Sequence, residues 1–120
     1  MKTLVVDLDG TITQANTSDY SKVLPNEELI NQLKSYQKLG YYIVIHTARN
    51  MRSYENRIGK INVNTLPIIM KWLNEHGVPY NEIIVGKPWC GEEGFYIDDR
   101  AIRPAEFINK TEAEIKKLLG

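Results

Sequence analysis

Four of the five aspartates in this 120-residue chain fall in two close pairs, Asp7 with Asp9 and Asp98 with Asp99. Either pair alone reads as turn or cap chemistry, since Asp-Gly favours turns and Asp-Asp caps helices. Two pairs, each placed directly after a short apolar run, call for more. Clustered carboxylates repel one another and ionise together only where a cation compensates. Their hard oxygens suit Mg²⁺, which takes one or two carboxylates and keeps room for water and a phosphate oxygen. A phosphate held beside a carboxylate is open to nucleophilic attack through an aspartyl-phosphate. A second carboxylate two residues on is placed to protonate the leaving alkoxide and later to activate water. Lys87 and the hydroxyl and backbone N–H of Thr47 would stabilise the equatorial phosphoryl oxygens.

These residues need elements that bring them together. Residues 3–8 (TLVVDL), 41–46 (YYIVIH), 83–85 and 95–97 read as four short buried strands. Between them, residues 26–39 carry Leu29, Ile30, Leu33, Tyr36 and Leu39 at helical spacing, with Asn26 as N-cap and Gly40 as stop. Residues 64–76 repeat Leu66, Ile69, Met70 and Leu73 helically, and Gly77 follows. Thr111-Glu112-Ala113-Glu114 opens a terminal helix with a capping box. Alternating strands and helices predict a Rossmann-like three-layer α/β/α fold with a mostly parallel sheet, in which ligands bind beyond the carboxyl ends of the strands. All four expected strand ends carry chemistry: Asp7 and Asp9, Thr47 and Arg49, Lys87, then Asp98 and Asp99.

In that order the residues resemble the four motifs of the haloacid dehalogenase superfamily. Asp7-Leu8-Asp9-Gly10-Thr11 is similar to the first motif, Thr47 to the second, Lys87 to the third and Tyr96-Ile97-Asp98-Asp99 to the fourth. The resemblance implies a phosphatase in which Asp7 is the nucleophile and a metal ligand. Asp9 is then the general acid/base and binds metal through its backbone carbonyl. Thr47 and Lys87 would hold the phosphate, Lys87 also assisting catalysis, with Gly10 and Ala48 as further expected phosphate contacts, while Asp98 and Asp99 complete the Mg²⁺ site. Which of those two binds directly stays open, the Asp-Asp-Arg pattern favouring Asp99. Aspartate at position 9 resembles the phosphatases rather than the ATPase branch. Only about 15 residues separate Thr11 from the first helix and about 17 separate Thr47 from the second, too few for a folded cap domain. His46-Thr47-Ala48-Arg49 and Asp98-Asp99-Arg100 further resemble the short phosphatases of capsular polysaccharide biosynthesis, and also the 3′-phosphatase half of phage polynucleotide kinase.

The five arginines occupy two places, Arg49, Arg52 and Arg57 after the second strand and Arg100 and Arg103 after the fourth. Arg49, two residues past Thr47, could bind phosphate or a substrate carboxylate with its fork. Arg100 could do the same or brace the aspartate pair. Residues 48–63 lack a clear period and, with Asn16 to Tyr20, are expected specificity segments. Trp89 is read as covering the core edge rather than stacking on a sugar or base, and Trp72 as packing. Cys90 lacks a cationic neighbour in sequence and is read as incidental. His46 should face the opposite side of the sheet from Thr47, and His76 should complement a helix dipole.

Bulk properties narrow the remaining choices. Lys+Arg and Asp+Glu are 15 each, so no net field draws the chain to nucleic acid or anionic membrane. Hydrophobic content of 42% and charged content of 25% are ordinary for a globular chain. One cysteine excludes an internal disulfide, and no signal-like or membrane-spanning run occurs, so a cytoplasmic single domain over residues 1–120 is expected. The substrate expected is a small phosphomonoester such as a sugar or polyol phosphate. Alternatives are 3′-phosphorylated nucleic acid ends, disfavoured by the neutral charge, and a phosphate-binding regulatory module without turnover, disfavoured because no motif residue is missing.

Overall fold

The β-branched run after the N-terminus forms β1 (Thr3–Val6), and the second run forms β2 (Tyr42–Thr47). The third forms β3 (Glu82–Val85). This computed structural model describes residues 1–14 and 19–120. Asn16, in the first expected specificity segment, lies outside the described residues. Residues Met1–Trp89 make one compact unit and Cys90–Gly120 a second.

In the first unit the three strands pair in the order β1-β2-β3, both pairings parallel. The central strand is the apolar one: Ile43 and Ile45 are fully buried, and Val44 and Thr47 nearly so. β1 is an edge strand, so its residues alternate in exposure and Val5 stays 66% exposed. A wholly buried first strand, as its composition suggests, is therefore not found. Side-chain register joins β2 to β3 at the Asn81 corner. The Ile43 amide donates to the Asn81 side-chain oxygen (2.8 Å), and the Asn81 amide donates back to the Ile43 carbonyl (2.7 Å).

Three α-helices form among the described residues of this unit. α1 (Glu27–Lys38) begins where expected: the Asn26 side chain accepts from the Leu29 amide at 3.3 Å, and Gly40 follows with φ +91°. It buries Leu29, Ile30, Leu33 and Tyr36. α3 (Leu66–Glu75) matches the second periodic segment, burying Ile69, Trp72 and Leu73. The Trp72 indole N–H donates to the Val23 carbonyl at 2.9 Å, which satisfies the polar edge of a fully packed ring. His76 caps α3 and stacks on Trp72 at 4.4 Å between centroids. α2 (Ile58–Asn64) lies, but for its last residue, inside the stretch whose sequence shows no period. It buries only Ile61 and packs on α3 and β3.

In the second unit, α5 (Glu112–Leu119) has the predicted cap. Thr111 Oγ1 accepts from the Glu114 amide (3.2 Å) and Glu114 Oε1 accepts from the Thr111 amide (2.9 Å). A further helix, α4 (Pro104–Asn109), starts with proline in its first turn, where a missing N–H is harmless. The fourth strand expected at residues 95–97 does not form. Phe95 is 76% and Ile97 90% exposed, so neither has the packing that a three-residue strand would need. The observed sheet thus has three strand ends, not four, among the described residues.

The architecture is an α/β fold with a parallel sheet and flanking helices, the Rossmann-like arrangement expected. The connection after β2 holds tight turns and α2 rather than a cap. No helix among the described residues is long and apolar enough to cross a membrane.

Candidate active site

The chain turns sharply after β1. Asp9 (φ −72°, ψ 124°) and Gly10 (φ 80°, ψ 3°) take the central positions of a type II turn, whose second residue must sit at positive φ. A wider loop around this turn is closed by the Thr13 amide donating to the Leu8 carbonyl, five residues back, at 3.0 Å. Glycine at position 10 thus lets two aspartates leave one strand end in quick succession, while Leu8 and Ile12 anchor the turn in the core at 0% exposure.

Asp7 is oriented from both sides. Its Oδ2 accepts from the Thr11 hydroxyl at 2.9 Å, and its Oδ1 lies 3.5 Å from Lys87 Nζ. The Asp7 side chain is 36% exposed, so an incoming group has access to it. Asp9 is held differently. Arg49 Nε donates to Asp9 Oδ2 at 3.0 Å, and Nη2 donates to Oδ1 at 2.7 Å, a two-pronged ion pair. The guanidinium carbon also lies over the Tyr20 ring, 4.1 Å from its centroid.

Thr47 ends β2 with its side chain buried on the same sheet face as Ile43 and Ile45. Its hydroxyl oxygen accepts from the Arg49 amide at 3.1 Å, leaving the O–H to donate elsewhere. Its carbonyl accepts from the Lys87 amide at 3.1 Å, so the ends of β2 and β3 are tied together. Gly86, at φ +90°, makes the turn into Lys87 possible. A Cβ there would meet Ile58 Cδ1 at 2.9 Å, so α2 packs tightly against this corner. Ala48 continues the β2 exit, its carbonyl accepting from the Met51 amide at 3.0 Å.

His46 points to the sheet face opposite Thr47, as expected from strand alternation. Burial holds its pKa below the ordinary imidazole value, the positive charge of Lys87 lowers it further, and Asp7 opposes both. The imidazole therefore sits within the electrostatic reach of the site, although nothing in the sequence placed it there.

The first unit thus brings Asp7, Asp9, Gly10, Thr47, Ala48, Arg49 and Lys87 to neighbouring strand ends. Asp98 and Asp99 belong to the second unit, where both are exposed and Asp98 Oδ1 accepts from the Arg100 amide at 2.7 Å. That bond is the turn behaviour of a short acidic side chain. Trp89 is 48% exposed, so it does not cover the core edge as its sequence position suggested. Two contacts were not foreseen from sequence: the bond of Thr11, a residue of the first motif, to Asp7, and the approach of Tyr20, which falls in an expected specificity segment, to Arg49.

The acidic side chains at the exit of β1 are those of Asp7 and Asp9, both partly exposed, the second with its oxygens bonded to Arg49. Hard oxygens of this kind fit Mg²⁺ rather than a thiolate- or imidazole-seeking metal. No group of three or more His, Cys, Asp or Glu side chains that could hold a metal forms among the described residues.

The family model for haloacid dehalogenase-like hydrolases matches residues 4–81. The chain belongs to that family, as the order of its motifs implied, and is a hydrolase. A crystal structure of an MCSG target from Vibrio cholerae is 64% identical, covers 99% of this chain and 97% of its own, and superposes with a TM-score of 0.98. The D,D-heptose 1,7-bisphosphate phosphatase of B. bronchiseptica, crystallised with magnesium and phosphate, is 13% identical with a TM-score of 0.48. That alignment covers 71% of this chain and 49% of the other. No curated protein shows significant similarity to the chain.

Proposed function

We propose that the chain is a Mg²⁺-dependent phosphomonoester hydrolase that works through an aspartyl-phosphate on Asp7, the whole of residues 1–120 acting as one catalytic domain. The observation that carries this reading is the state of Asp7. One oxygen is fixed by the Thr11 hydroxyl and the other faces the Lys87 ammonium, while the Lys87 amide is bonded to the carbonyl of Thr47. A carboxylate so oriented, beside a lysine and a threonine hydroxyl on adjacent strand ends, suits attack on a phosphorus atom.

In the first step an Asp7 oxygen forms a bond to phosphorus as the P–O bond to the alcohol breaks. The departing alkoxide takes a proton from Asp9. Lys87 and Thr47, with backbone N–H groups near Gly10 and Ala48, hold the equatorial oxygens. In the second step Asp9 accepts a proton from water, the hydroxide adds to phosphorus, and the bond to Asp7 breaks to free inorganic phosphate. Mg²⁺ supplies positive charge against the phosphate and the carboxylates. Asp7, the Asp9 carbonyl and, on the sequence resemblance, Asp98 and Asp99 are the residues assigned to hold it.

The substrate class follows from resemblance to the capsular polysaccharide phosphatases: a sugar or polyol phosphate, met in the cytoplasm. The test is phosphate release from sugar phosphates, polyol phosphates, nucleotides and a 3′-phosphorylated oligonucleotide, with Mg²⁺ present. Turnover of a small polyhydroxy phosphate is expected. Turnover confined to the oligonucleotide, and suppressed by salt, would replace this substrate class with nucleic acid ends.

A further inference from the structure

We infer that Arg49 is a positioning residue, fixed under the Tyr20 ring, that holds the Asp9 carboxylate in the orientation its proton work requires. The inference rests on the reading of Asp9 as acid/base, and goes beyond it by assigning how that side chain is aimed. Asp9 lies in a turn, with its side chain 34% exposed. An aspartate in such a place would ordinarily sample its rotamers freely. Here both oxygens are taken by one guanidinium, at 3.0 and 2.7 Å, in a planar two-point contact that fixes the plane of the carboxylate as well as its position.

The arginine is itself immobilised. Its side chain is 1% exposed, its backbone amide is bonded to Thr47, and the Tyr20 ring covers the guanidinium carbon at 4.1 Å. Two of the fork's nitrogens are spent on Asp9, and the third, Nη1, is buried with no hydrogen-bond partner among the described residues. No donor of the fork therefore faces open solvent, where an incoming phosphate would meet it. Stability alone is weak ground for the arrangement, because an ion pair with a buried partner is often no better than an apolar replacement of both residues. Each carboxylate oxygen keeps a second lone-pair site beyond the arginine contact, and the proton passed to the leaving oxygen is carried on one of these sites.

The test compares single-turnover phosphorylation by nitrophenyl phosphate, which leaves without much help, with that by a sugar phosphate, which needs a proton. Arg49→Met should slow the sugar phosphate about 10–100-fold, the cost of an ångström-scale misplacement, while nitrophenyl phosphate and KM change little. Arg49→Lys should recover part of the loss, and Tyr20→Leu should show a weaker loss of the same selectivity. In an Asp9→Asn background, Arg49→Met should add nothing. Equal slowing of both substrates with a raised KM would make Arg49 a phosphate ligand and overturn the inference, as would a further loss in the Asp9→Asn background. Should Arg49→Met fail to fold, Tyr20→Leu decides alone, and an unchanged leaving-group dependence there overturns the inference. If Asp9→Asn is selective against the sugar phosphate and the Arg49 and Tyr20 variants are not, only the positioning role fails. If Asp9→Asn is itself unselective, the acid/base reading falls with it.

Discussion

Arg49 and Asp9 stand 40 residues apart in sequence, yet the guanidinium of one grips both carboxylate oxygens of the other. The pair joins the turn after β1 to the exit of β2. Asp9→Asn keeps the shape and one acceptor oxygen but removes the charge opposite a buried cation. A loss of about 1–3 kcal/mol is expected from the weakened charge-assisted bonds, measured by denaturant titration. In catalysis the same variant should slow release of a sugar from its phosphate by about 10²–10⁴-fold more than release of nitrophenol. Single-turnover release of the first product is the measurement, and equal slowing of both substrates would leave Asp9 a structural role only.

Asp7→Asn should abolish steady-state turnover while the protein keeps its fold. Asparagine retains the size of the side chain and can still accept from Thr11, but it is a poor nucleophile. Phosphate release by well-purified variant protein, alongside its circular dichroism spectrum, checks both halves of the statement. Substantial residual turnover would remove Asp7 from the mechanism.

Chelation should eliminate turnover and added Mg²⁺ should restore it, since carboxylates and a phosphate crowd together only with a compensating cation. Ca²⁺ should substitute poorly because its larger, looser shell would misplace the nucleophile. Undiminished activity after exhaustive chelation refutes the metal requirement.

His46 should titrate below the ordinary imidazole value when followed by NMR. Burial is the main cause, with Lys87 adding to it and Asp7 opposing it. Lys87→Met should therefore raise the His46 pKa, and Asp7→Asn should lower it further. Because the folded value is depressed, the unfolded chain binds the extra proton first. Stability from this group is present above the ordinary imidazole value and declines as pH falls toward the folded one. A His46 titration above that ordinary value contradicts this electrostatic picture.

Asn26→Ala should destabilise the protein by about 1–2 kcal/mol, more than a simple cap. Besides accepting from the Leu29 amide, Asn26 donates its side-chain N–H to the Thr11 carbonyl at 3.2 Å and its backbone N–H to Ile12 at 2.8 Å. It therefore fastens α1 to the loop carrying Thr11 and Asp9. Thermal unfolding measures the loss, and a value within a few tenths of a kcal/mol of wild type would leave the side-chain bonds without energetic weight.

The elements legible in sequence were those with strong local signals. β2 is a run of mostly apolar residues, α1 has an asparagine cap and a glycine stop, and α5 opens on a capping box. α2 escaped because its seven residues include Gly59, Asn62 and Asn64, and only Ile61 is buried, so no period could emerge. α4 has six residues, its only flag being Pro104 in the first turn. Phe95–Ile97 failed in the other direction. Its composition suits a strand, but a strand exists only with a neighbour to pair with, and three residues do not encode one. The site divided similarly. Asp7, Asp9, Thr47 and Lys87 announced themselves by type and by following apolar runs. The bond from Thr11, the stacking of Tyr20 and the engagement of Arg49 with Asp9 are properties of side-chain direction, which the order of residues does not display.

Both strand pairings are parallel and join segments roughly forty residues apart, Thr3 with Tyr42 and Val44 with Glu82. Parallel neighbours cannot be linked by a tight hairpin, so each pairing closes a long loop before its hydrogen bonds repay the lost entropy. Such topologies fold slowly compared with helical bundles. Lys87 can face Asp7 only after both closures are complete, and a chain still emerging from the ribosome has no such centre until β3 has docked. A slip of one residue along β2 would turn Thr47 to the other side of the sheet. Hydrolytic competence in this protein is accordingly a late event of folding, and its recovery after dilution from denaturant would report the docking of the last strand rather than the collapse of the core.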